Sequence, residues 1–158
     1  MKEYSFGGAR ALVALHGQHM HSFLETWQKA KRGGVTLPQT TDLAYKSMET
    51  LLRHLLKASR GYIVWICQKL ELPDPGIDPL PELENIEHAA EAFLSHLLKR
   101  WELPLRDVPE ERFFDCTYAS NWEVEYCIEA MLEHAVMHPI RHEFQLVNLM
   151  KSLEGKKK

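Results

Sequence analysis

The chain has 158 residues, 45% of them apolar, and a formal charge of -3; the size suits one domain with one sizeable core, and the charge leaves no basic footprint for nucleic acid or an anionic membrane surface. No apolar run approaches the ~20 residues of a bilayer span, and Met1 to Arg10 sets charges on both sides of a Gly pair instead of a signal-peptide core, so a soluble, cytoplasmic domain over 1–158 is expected. Cys67, Cys116 and Cys127 are odd in number and widely spaced, which fits neither a disulfide framework nor a paired-cysteine zinc site.

The first periodic segment runs from about Gly8 to Ala30, proline-free, with apolar residues returning at helical spacing. Lys31 to Gly34 and Leu37-Pro38 end it, and Thr40, Thr41 and Asp42 offer N-cap chemistry for a second helix over about 42–70. Prolines 73, 75, 79 and 81 then forbid helix. A third helix is predicted over 82–101. The stretch 102–120 is irregular, with an extended piece or short hairpin between Phe113 and Tyr118. Ser120 stands three residues before Glu123 in the capping-box pattern, which predicts a fourth helix over 121–153. Four long helices and no convincing strand pattern define an all-α chain, a four-helix bundle, in which ligand and metal sites are built from inward side chains on facing helices.

Nine histidines are many for this length, and six fall in two clusters, at 16, 19, 21 and 134, 138, 142. Steps of four and three along the fourth helix give Val124, Ile128, Met131, Ala135, His138, His142, Gln145 and Leu149 as one inward seam. Residues four apart on a helix are separated by roughly 40° and about 6 Å, so His138 and His142 can aim at one point. The second helix offers His54 between Leu51 and Ala58, on a stripe continuing through Ser47, Gly61 and Trp65 whose small residues leave room for an ion and a substrate. Three neutral imidazoles suit zinc, nickel, copper or iron, and three protein ligands leave a coordination position for an exchangeable group.

His134 belongs to the same four-residue series, but Ala135 fills the seam, so His134 turns to the flank of the pocket. Tyr62 and Trp65, two to three turns beyond His54, are placed to wall it, although Trp27, Trp65, Trp101 and Trp122 read first as core. His16, His19 and His21 cannot all face one way and read as surface; His88 and His96 read as ordinary helix residues. Pro139 removes the hydrogen bond to the Ala135 carbonyl. A kinked but continuous helix fits best, since the seam keeps its phase on both sides.

His54 and the run His138-Pro-Ile-Arg-His142 resemble the DinB/YfiT-like superfamily, whose pattern has one histidine in helix two and HxxxH in helix four. Where that family often continues with Arg-Gly-Gln, this chain has Glu143-Phe144-Gln145. The resemblance implies an up-down-down-up bundle, a divalent zinc or nickel ion, a homodimer and, for some members, transfer of a small thiol such as bacillithiol or mycothiol to an electrophile. A non-catalytic metal-stabilised or stress-related module and a metal-dependent hydrolase are the alternatives. A ferritin-like di-iron protein would need Glu-x-x-His motifs, and the sequence has none.

Overall fold

The computed structural model describes residues 3–158, so the first two residues of the expected domain lie outside the described residues. The chain is mostly helical: α1 (Gly7–Arg32), α2 (Met48–Lys69), α3 (Ile86–Trp101) and α4 (Ile128–Lys156), with a small antiparallel hairpin, β1 (Tyr118–Ala119) and β2 (Glu125–Tyr126), before α4. Among the described residues, no helix is long and apolar enough to cross a membrane.

Three helix starts differ from those predicted: α3 begins at Ile86, after a 3-10 turn over Leu83–Asn85, instead of at 82, and at the other two polar side chains decide. Asp42 caps only a 3-10 turn over Leu43–Tyr45, accepting from the Ala44 amide at 2.9 Å. The cap of α2 is Ser47, whose hydroxyl accepts from the Thr50 amide at 3.1 Å while Thr50 Oγ1 accepts from the Ser47 amide at 2.8 Å, a reciprocal box satisfying two otherwise free donors. Farther along, Ser120 and Glu123 close a hairpin instead of opening a helix. The Ser120 carbonyl accepts from the Glu123 amide at 3.1 Å, the Ser120 amide donates to the Val124 carbonyl at 2.8 Å, and Glu123 adopts φ 64°. A type I turn followed by a left-handed residue is the usual three-residue hairpin loop. Helix α4 therefore starts at Ile128, and Val124, expected in the inward seam, is 48% exposed.

Helix α2 ends in a Schellman turn: the Leu72 amide donates to the Cys67 carbonyl at 2.8 Å and the Glu71 amide to Gln68 at 3.2 Å, with Glu71 at φ 57°. The proline-rich segment then runs back along α2. Arg60 donates to the carbonyls of Asp78 and Ile77, and Arg53 to that of Pro81, so α3 begins beside the start of α2. There Lys31, at the end of α1, pairs with Glu49 of α2 and lies 3.8 Å from Glu87 of α3. At the other end of α3, Trp101 donates to the Ser59 carbonyl at 3.2 Å, and Tyr4, just before α1, donates to the Glu102 carbonyl at 2.8 Å.

The core is one apolar cluster through all four helices, with Phe23, Trp27, Ile63, Ile66, Trp101 and Phe113 almost fully buried. Trp122 departs from the core reading at 44% exposure, because the hairpin turn carries it outward. His16 departs the other way. It is 1% exposed, stacked on Trp101 with ring centroids 3.9 Å apart, and its Nε2 lies 3.1 Å from Ser59 Oγ. Stacking on a large aromatic face and one hydroxyl partner offset part of the burial of its imidazole, whose Nδ1 has no hydrogen-bond partner among the described residues. Helix α4 runs unbroken through Pro139, whose ring is buried.

Candidate metal centre

His54 lies near the start of α2, and His138 and His142 lie one turn apart near the middle of α4. His138 Nε2 is 3.1 Å from both His54 Nε2 and His142 Nε2, and the three residues form a group able to hold a metal ion. Zn–N bonds of 2.0–2.1 Å in a tetrahedral arrangement separate ligand nitrogens by about 3.3 Å, so the observed spacing suits such an ion.

The opposite ring nitrogens show which way the lone pairs face. His142 Nδ1 lies 3.0 Å from Gln145 Oε1, and that oxygen also accepts from Tyr45 Oη at 2.7 Å. Tyr45 Oη also lies 3.0 Å from His142 Nδ1 but donates its proton to Gln145 Oε1; since an amide oxygen only accepts, this network places the His142 proton on Nδ1 and turns its Nε2 lone pair toward His138. His138 Nδ1 lies 2.9 Å from Tyr62 Oη. With the His138 proton there too, the contact between His138 Nε2 and His142 Nε2 sets two lone pairs against each other, an arrangement that a cation between them relieves. Partners on the outer nitrogens that fix the tautomer are the usual support of a histidine metal ligand.

Burial holds all three imidazoles neutral. His138 is pushed down to about 2, first by desolvation and then by His142 and His54; His142 is pushed down to about 4 by desolvation and His54; His54 is lowered by desolvation. Neutral imidazole is the ligating form, so near neutral pH the site binds a metal without first releasing protons.

The triad forms the floor of an open cavity of about 830 Å³. One wall is aromatic. His134 stacks on Trp122 with centroids 5.2 Å apart and packs edge-on against Tyr62 at 5.5 Å and Tyr126 at 5.6 Å; it stands beside the triad, outside the metal-holding group. Burial lowers its pKa as well. Tyr62 is buried, its hydroxyl pushed up to about 12 by desolvation. Gln145 lines the cavity but is exposed, and Leu146 takes the buried position expected of it. Tyr45 escaped sequence reasoning because a 3-10 turn outside both helices carries it, and no periodicity marks such a residue.

Tyr62→Phe keeps the ring beside His138 and removes only the hydroxyl. Its expected effect is a loss of about tenfold in zinc affinity, the lower end for losing an outer hydrogen-bond partner, measured by competition with a chromophoric chelator. Tyr45→Phe should cost less, since Gln145 still accepts from His142.

No protein-family model, curated protein or solved structure matches this chain.

Proposed function

We propose that the protein is a DinB/YfiT-like, metal-dependent transferase in which His54, His138 and His142 hold one zinc or nickel ion and a small thiol is the nucleophile. The observation that carries this reading is the convergence of three neutral imidazoles, two of them held by partners on their outer nitrogens, on the floor of an open cavity. The helix pairings support it: α1 ends beside the start of α2, the proline-rich return lays α3 alongside α2, and Glu143 of α4 accepts from Ser22 and Thr26 of α1, as an up-down-down-up course requires. When bound, the ion supplies acidification of a coordinated thiol, so that thiolate forms near neutral pH.

The chain's own groups do the rest. Tyr62 and the Tyr45–Gln145 pair orient the imidazoles, and the aromatic wall limits water on one side of the cavity. The carboxylate lining the cavity is Asp42 of the turn before α2, and no glutamate lines it among the described residues.

The test uses protein purified without a His tag and loaded with zinc or nickel. Cysteine, glutathione and bacillithiol are titrated by calorimetry, and thiol consumption is followed with a panel of epoxides and haloarenes. Thiol binding with consumption of at least one electrophile is the expected result. Metal-loaded protein that neither binds nor consumes a thiol would rule out the transferase and leave a metal-stabilised bundle.

A further inference from the structure

Two cations line the mouth of the cavity, one from each ligand-bearing helix. Lys57 lies three residues after His54 and Arg141 three residues after His138, the helical spacing that puts neighbours on one face. Both are exposed, and neither forms an ion pair among the described residues. Asp42 is the one lining carboxylate set against them. The cavity is therefore electropositive before any metal enters. The lining also has an aromatic part: Trp122, 44% exposed, is backed by the stacked His134 ring, and Trp65, 5% exposed, contributes the part of its ring that reaches the cavity.

We infer that the cavity receives an organic anion, a carboxylate held at the mouth by Arg141 and Lys57 and joined to a planar unsaturated or aromatic body lying against Trp122 and Trp65. An unpaired guanidinium at the edge of an open cavity is well matched to a carboxylate, which it binds through two parallel hydrogen bonds. An indole face favours a flat conjugated group over a saturated one. The inference names the substrate class of the transferase proposed above and rests on that reading for its chemistry, but its binding component does not need the metal.

The experiment compares cinnamate with cinnamamide, its uncharged near-isostere, and with 3-cyclohexylpropanoate, its saturated counterpart. Calorimetry is run on zinc-loaded protein, with zinc content measured on the same samples. Cinnamate is expected to bind at least about tenfold more tightly than cinnamamide, as one charge-assisted pair allows. In the double variant Arg141→Gln, Lys57→Gln that preference should shrink to within about twofold at unchanged zinc content. Arg141→Lys should keep part of it. Repetition after chelation separates the cations from the ion: a preference that persists without metal belongs to Arg141 and Lys57. One that vanishes on chelation yet survives in the double variant makes the carboxylate a metal ligand and overturns the inference. Absence of any preference for the acid also overturns it, and equal binding of 3-cyclohexylpropanoate overturns its aromatic half. Wild-type protein that binds no zinc but still prefers cinnamate would sink the metal reading and leave this one standing.

Discussion

His138→Ala is expected to abolish stoichiometric metal binding, with an affinity loss above the ~10–100-fold that follows removal of an outer partner. His138 is the middle member of the triad, 3.1 Å from each of the others, and its outer nitrogen is held by the buried Tyr62. Its loss leaves one ligand on each helix and no nitrogen joining them. The measurement is metal content per chain by mass spectrometry together with competition against a chelator, and circular dichroism checks that the variant stays helical. His134→Ala is the matched control, because His134 packs among Tyr62, Trp122 and Tyr126 without joining the group. Equal metal loss in the two variants would refute the assignment of His134 to the wall.

Removing the metal should also cost stability. An ion that binds only the folded chain, present at a thousand times its Kd, stabilises by about 4 kcal/mol, and at ~2–4 °C per kcal/mol for a chain of this size chelation should lower Tm by about 8–16 °C. Differential scanning calorimetry with and without chelator checks this; an unchanged Tm in protein shown to hold metal would mean that the unfolded chain binds it equally well. Acid should weaken the metal-free protein further. Unfolded imidazoles take up protons near pH 6.5, whereas folded His16 is held down to about 3 by desolvation and His138 to about 2 by desolvation and its histidine neighbours. The folded chain thus carries fewer protons below pH 6.5, so stability falls as pH drops through that window, by about 1.4 kcal/mol per pH unit for each such group. Denaturant midpoints between pH 7 and pH 4 would show it, and His16→Asn should flatten the slope.

The helical architecture was legible because it rests on short-range signals: apolar spacing, four prolines between the second and third helices, and Gly33-Gly34 after the first. The grouping of His54, His138 and His142 was legible for a related reason, since HxxxH in an apolar seam and a histidine beside Leu51 each point one way on a helix. Failures came where one pattern serves two geometries. Ser120 and Glu123 have the spacing of a capping box, and the same hydroxyl closes a hairpin by accepting from Val124. A four-three seam advances 3.5 residues per turn against 3.6 in a straight helix, so over five turns from Ile128 the buried position passes to Leu146 and Gln145 moves out to the cavity edge. Tyr45, Arg141 and the burial of His16 depend on how distant segments pack. A single strand of sequence carries no local mark of that.

The hairpin separates two tasks within one cavity. Ligands and orienting groups come mainly from long helices packed into the core, whereas Trp122 stands on a loop of Asn121, Trp122 and Glu123 closed by the Ala119–Glu125 pairing. A loop that closes on itself tolerates replacement far better than a helix whose every turn is packed. If the proposed function holds, exchange of residues 121–123 would change what the cavity accepts while His54, His138 and His142 stay in place, which makes this loop the natural place to engineer a new preference.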